Sequence, residues 1–154
     1  MIMERFPQVD AVAGVATGAI AQGALVADEL NVPYVYVRSS PKDHGLENLI
    51  EGNLIPGQTV VVIEDLISTG KSSLKAVEAV RNAGCEVVGM AAIFTYGFPE
   101  AEEAFRNANV ELCTLGNYNA MLEVAVETKY IRPSDVETLK MWRTNPSEWT
   151  PDAR

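Results

Sequence analysis

The sequence predicts an α/β fold, a mainly parallel sheet with helices on both of its faces. Three observations carry this expectation. Runs of strand length are apolar along their whole length instead of alternating, as in "VDAVAGVA" (9–16), "TVVVIE" (59–64) and "CEVVGMAAIFTY" (85–96). Segments with helical spacing stand between these runs. The strand and helix patterns alternate along the chain, which is the order that builds parallel strands with crossover helices.

In chain order, the Val-rich run 9–16 is followed by "GAIAQGALVADEL", in which Ile20, Ala24, Leu25 and Ala27 or Asp28 recur at helical spacing. "VPYVYVR" is β-branched and aromatic, and Pro33 suits the first position of a strand. After "TVVVIE" a helix is predicted from about Gly70 to Ala83, with Leu74, Val77, Ala79 and Val80 inward and Gly84 closing it. Next come the run 85–96, a helix "PEAEEAFRNA" opened by Pro99, and a short last strand "VELCTLG". "YNAMLEVAVETK" and "SDVETLKMWRTN" read as two further helices, the second with Ser134 as N-cap and Glu137 completing a capping box. Packing accounts for Met141 and Trp142, the tail "PSEWTPDAR" reads as irregular, and no chemical role attaches to the helices from Tyr118 onward.

The 154 residues suit one domain spanning 1–154. Twelve basic against 21 acidic residues give a formal charge of −9, which argues against a nucleic-acid partner because a phosphate backbone needs a surplus of cations facing it. Cys85 and Cys113 match no metal-ligand spacing and read as small buried hydrophobes in a reducing compartment. No apolar run approaches the roughly 20 residues of a membrane span, and the N-terminus resembles no targeting segment. A cytoplasmic protein with no membrane partner is expected.

In sheets of this kind ligands bind beyond the carboxyl ends of the strands, near a switch in strand order. Residues 14–18, 38–45 and 64–72 fall at such ends. The most informative stretch is "VVVIEDLISTGKSS" (60–73). Its "TGKSS" imitates a P-loop, but that motif needs Gly where this chain has Asp65. What remains is a strand, two carboxylates, and a turn of small and hydroxylated residues leading into a helix. Amides at a helix start are unpaired, Gly70 allows close approach of an anion, and Ser68, Thr69, Ser72 and Ser73 add hydroxyls. Two acids beside such a phosphate cup need partners of their own, which vicinal ribose hydroxyls or a hydrated Mg²⁺ on the same ligand would supply. Residue by residue, a generic strand-to-helix junction has the same features; the whole arrangement favours a ribose 5-phosphate.

This stretch resembles the phosphoribosyl pyrophosphate (PRPP) motif of the type I phosphoribosyltransferases. "RSSPKDHG" (38–45) is similar to the mobile catalytic loop of the orotate branch, and the two motifs occur in that family's order. The resemblance implies the type I fold and transfer of ribose 5-phosphate from PRPP to orotate with Mg²⁺, the metal being held mainly by PRPP and water. It also implies a homodimer in which loop 38–45 reaches the neighbouring active site. Glu64 and Asp65 would take the ribose hydroxyls, and Leu66, Ile67, Ser68, Thr69, Gly70, Lys71 and Ser72 would line the 5-phosphate site. Ser68 stands where the family has a hydroxyl residue that also touches orotate. Arg38, Lys42 and His44 would face the pyrophosphate, His44 also being a candidate acid. As catalytic residues the resemblance gives Lys42, His44, Arg38 and Asp65. "GVATGAIAQG" stands where the family has a pyrophosphate loop, so Gly14, Thr17 and Gly18 would admit backbone donors. A solvated loop at 38–45 and an ordinary turn at 14–18 are the plain alternatives.

The resemblance has gaps. Ser39 replaces a second basic residue, no Lys lies between Gly14 and Ile20, and "TYGFPEAEE" replaces a segment where many members carry an orotate-binding Arg. Members normally begin with several dozen residues that form a hood over the base, whereas here the first core strand is expected at about Val9, so the hood is expected to be missing and turnover reduced. A phosphoribosyltransferase for another base, or a PRPP-binding regulator or inactive form of the same fold, are the alternative functions.

Overall fold

The computed structural model describes residues 1–40, 49–147, 149 and 150. Six strands form one sheet: β1 (Ala11–Val15), β2 (Tyr34–Val37), β3 (Ile50–Glu51), β4 (Thr59–Ile67), β5 (Glu86–Thr95) and β6 (Leu112–Asn117). Their order is β3-β2-β1-β4-β5-β6, and every pairing is parallel except β2 with β3. The α/β expectation is met. The strands are apolar throughout because both faces are covered. On one face lie α3 (Lys71–Asn82) and α4 (Pro99–Asn107), whose Ala76, Val77, Val80, Ala101 and Phe105 pack on Val60, Val62 and Met90. On the other lie α1 (Ile2–Arg5) and α2 (Ile20–Leu30), which bring Phe6, Ala19 and Ala27 onto Val12, Val61 and Ile63.

Local chemistry sets the helix ends. Gly84, at φ +82°, follows the end of α3 and reverses the chain; its amide bonds Arg81 O at 2.9 Å and that of Cys85 bonds Val80 O at 3.4 Å, a Schellman closure. Asn31, Asn109 and Lys129 take the same left-handed conformation after α2, α4 and α5 (Tyr118–Glu127).

Several expected details are corrected. The two-residue β3 was not foreseen, being too short to carry a period. On α2 the buried face is Gly23 and Ala27, while Leu25 is 71% exposed and Ala24 also faces solvent. The helix lies so close to the sheet that a Cβ on Gly23 would stand 2.8 Å from the Tyr34 ring of β2 and 3.1 Å from Gly14 Cα of β1, so glycine, which no apolar count scores, marks the contact. Ser134 is not an N-cap: Pro133–Asp135 form a 3₁₀ turn ahead of α6 (Val136–Thr144), and Asp135 holds the N-cap position, its side chain bonding no amide of α6 but closing the start of the 3₁₀ turn by accepting from the Arg132 amide at 3.2 Å and from its guanidinium at 3.0 and 2.8 Å. Met141 is 67% exposed, whereas Trp142 packs as expected. Both cysteines are buried and free.

Candidate active site

β1 sits between β2 and β4, and the chain runs outward from it first to one side and then to the other. That makes the β1/β4 boundary the switch point at which an open parallel sheet leaves a crevice. The carboxyl ends of β2, β1 and β4 lie side by side there, tied by the Ala16 amide bonding Val37 O at 2.8 Å. Gly14 belongs to the ladder, paired with Tyr36 and Ile63, so the loop proper begins at Ala16 and Gly14 offers it no donor.

β4 is longer than the sequence suggests. Glu64, Asp65, Leu66 and Ile67 all lie within the strand, because Glu64, Leu66 and Ile67 pair with Ala92, Phe94 and Thr95 of β5. The acids are therefore strand residues, and alternation sends them to opposite faces. Glu64 is 5% exposed; Ser73 Oγ donates to its Oε2 at 2.8 Å and the Asp65 amide to its Oε1 at 3.0 Å. Burial, reinforced by neighbouring Asp65 and only partly offset by Ser73, pushes its carboxyl from the ordinary 4.5 up to about 7. Ser73, expected as a ligand donor, is thus turned inward.

Asp65 is half-buried at the mouth. It accepts from the Leu66 amide at 2.8 Å, and its carboxylate lies directly against Gly18, where a Cβ would overlap it. Thr17 and Gly18 are exposed, the Ala16–Thr17 peptide is cis, and the first turn of α2 is anchored by Tyr34 Oη donating to Ile20 O at 2.8 Å. Two of the three expected segments therefore meet at Asp65 and Gly18.

Beyond β4 the chain passes Ser68 and Thr69, both partly exposed, to Gly70, whose φ of +78° turns it into α3. A Cβ on Gly70 would stand 2.7 Å from the Phe105 ring, so both conformation and space demand glycine there. Leu66 is exposed, Ile67 is buried in the core, Lys71 pairs with Glu100 at 2.9 Å on the surface, and Ser72 is exposed at the helix start. Arg38 follows β2, but its guanidinium reaches Glu51 of β3 at 3.5 Å. Lys42 and His44 lie outside the described residues.

The C-terminal helices add what the sequence did not suggest. Trp142 packs among Tyr96, Phe98 and Tyr118, with ring centroids 5.6, 6.1 and 5.4 Å away, and Tyr118 Oη donates to Leu139 O at 3.2 Å. This holds the last turn of α6 over the end of β5. A cavity of about 580 Å³ results, with Ser68 and Thr69 on one wall and Phe98, Pro99 and Arg143 on the others. Nothing in the local sequence signals Arg143, because only tertiary packing brings it there.

A crevice at the sheet's switch point, with an acid at its mouth and a glycine-turned helix start beside it, has the architecture of the type I phosphoribosyltransferases. The family model "Phosphoribosyl transferase domain" matches residues 3–122. An orotate phosphoribosyltransferase of Bacteroides thetaiotaomicron is 70% identical over 149 residues, covering 97% of this chain and 70% of that protein, and one of Porphyromonas gingivalis is 63% identical over the same length, covering 71% of it. The structure of orotate phosphoribosyltransferase from Aeropyrum pernix superposes with a TM-score of 0.71 at 32% identity, over 79% of this chain and 70% of that one. This chain belongs to the phosphoribosyltransferase family, in its orotate phosphoribosyltransferase branch, whose members are pentosyltransferases. Among the described residues no helix is long and apolar enough to cross a membrane, and no cluster of three or more His, Cys, Asp or Glu is placed to hold a metal ion.

Proposed function

We propose that this chain, acting as one core domain, transfers ribose 5-phosphate from PRPP to orotate, forming orotidine 5′-monophosphate and pyrophosphate in cytoplasmic pyrimidine synthesis. The observation that carries the reading is the meeting of Asp65 and Gly18 beside the Gly70 turn, which joins an acceptor for sugar hydroxyls to a rank of unpaired amides. Backbone and hydroxyl donors of Ser68, Thr69, Gly70, Lys71 and Ser72 take the 5-phosphate. Asp65 accepts from the ribose hydroxyls, and the buried Glu64, which accepts from the Asp65 amide and from Ser73 Oγ, fixes the strand end that carries Asp65. Thr17 and Gly18 present amides to the pyrophosphate.

In the reaction the bond from the anomeric carbon to the pyrophosphate oxygen breaks, its electron pair leaving with pyrophosphate, as the orotate ring nitrogen bonds that carbon and loses its proton to the departing pyrophosphate. The path is oxocarbenium-like, so the enzyme gains most by fixing the ribose and neutralising the departing charge. Arg38, released from Glu51, and Lys42 and His44 from loop 38–45, supply that positive charge, the loop reaching the neighbouring site of a homodimer. Mg²⁺ enters as part of the substrate, carried by PRPP and water; an oxygen donor such as Asp65 suits a hard cation of this kind.

Loss of orotate absorbance on mixing with Mg²⁺ and PRPP tests the reading. Signal loss with orotate but not with hypoxanthine, adenine or uracil is the expected result, and turnover of another base in preference to orotate would refute it. Lys42→Ala should reduce the rate far more than PRPP affinity.

A further inference from the structure

We infer that Arg143, at the end of α6, is the specificity residue that pairs with the carboxylate of the pyrimidine substrate. The inference rests on the reading of the site above and adds the group that distinguishes orotate from uncharged pyrimidines.

The cavity has Ser68 and Thr69, which closely follow Asp65 in the chain, on one wall and Arg143 on another, and the base attached to a ribose held at Asp65 is assigned to it. Its bound substrate would be an anion, in a protein of charge −9 with two acids nearby, so local positive charge is required. The cations at this end of the sheet differ in how they are engaged. Lys71 is taken by Glu100 at 2.9 Å, which also neutralises a carboxylate on the cavity wall, and Arg38 is taken by Glu51. Arg143 has no carboxylate partner among the described residues. Among the described residues its one hydrogen bond is a long one, Nη1 to the neutral Asn119 Oδ1 at 3.3 Å, and its Nη1 stands 3.5 Å from where a Cβ of Gly97 would be.

A guanidinium carries five N–H donors in a planar fork that matches a carboxylate edge to edge. Here most of that fork is unused among the described residues, on a half-buried side chain whose helix turn is docked by the adjacent Trp142. The favourable field at a helix C-terminus explains a cation in the last turn of α6. It does not explain why that turn is anchored over the cavity by four aromatic rings.

The test compares two nucleotides that differ only in the carboxylate, orotidine 5′-monophosphate and uridine 5′-monophosphate, by calorimetric titration of the full chain. The parent should bind the first more tightly. Arg143→Gln should weaken orotidine 5′-monophosphate by roughly 10-fold or more, the scale of a charged hydrogen bond, and leave uridine 5′-monophosphate within about twofold, with Arg143→Lys restoring part of the loss. Equal weakening of both nucleotides would assign Arg143 to the phosphate or to packing and overturn the inference. So would an unchanged ratio, or a parent that binds both equally while still binding PRPP. A parent that binds neither nucleotide nor PRPP would overturn the reading of the site itself.

Discussion

The β4–α3 junction and the α5–α6 end of the chain border the same cavity but are built differently. At the junction, contacts are short in sequence and buried: Glu64 receives the Asp65 amide and Ser73, and Gly70 turns the chain nine residues or fewer from both partners. The C-terminal end is held by remote aromatic packing, Trp142 against Tyr96, Phe98 and Tyr118, with few buried residues in its helices. The rigid part of the mouth thus comes from local chemistry, and the adjustable wall comes from docking. Substitutions at the first should damage ligand geometry at nearly constant stability, whereas those at the second should loosen the fold locally and spare PRPP.

The largest effect is expected from Gly18→Ala. Its Cβ would overlap the Asp65 carboxylate, so the loop and the acid must move apart, and displacements of about 1 Å at such a centre cost on the order of 100-fold in rate. Steady-state kinetics should show that fall with a small change in Tm; an unchanged kcat/KM would separate Asp65 from the ligand. Trp142→Ala comes next. Removal of a half-buried indole should cost about 2 kcal/mol, below the roughly 3–5 kcal/mol of fully buried aromatic truncations, with PRPP binding retained and α5–α6 gaining hydrogen exchange. Loss of PRPP binding together with orotidine 5′-monophosphate binding would show that the two regions are not separable.

Glu64 gives a smaller, pH-dependent effect. Its folded pKa, about 7, lies above the ordinary 4.5, so the folded state holds the proton more tightly than the unfolded chain. Its stabilisation is complete below pH 4.5 and declines as pH rises toward 7. Denaturant titrations of the parent and Glu64→Gln should differ in slope with pH across that window, and matching profiles would show that Glu64 titrates normally. The smallest effect is at the turn ahead of α6: Asp135→Ala, which removes the carboxylate that accepts from Arg132, should cost about 1 kcal/mol, while Ser134→Ala should cost almost nothing. The reverse order would restore Ser134 as the cap.

This contrast also explains what could be read from the residues. Apolar runs of strand length gave the sheet, and the acid pair with "ISTGKSS" gave the mouth, because both signals are local in sequence. The inward turn of Ser73 and the burial of Glu64 were missed because "TVVVIE" was ended at the first acid; only pairing with β5 shows that the strand continues to Ile67. Leu25 misled for a related reason, since the true contact face of α2 is set by Gly23 against Tyr34. Arg143 is illegible in the sequence because its position depends on rings contributed by α5 and by the segment between β5 and α4.

The central claim is that the crevice between residues 17–18 and 65–72 holds a sugar pyrophosphate. Amide ¹⁵N–¹H spectra recorded during titration with Mg²⁺ and PRPP test it most directly. The largest shifts are predicted at Thr17, Gly18 and Ser68 through Ser72, with Cys85 and Asn109, which precede the amino ends of β5 and β6, unmoved. Saturable shifts elsewhere that leave those amides unchanged, or none at any ligand concentration, would contradict it.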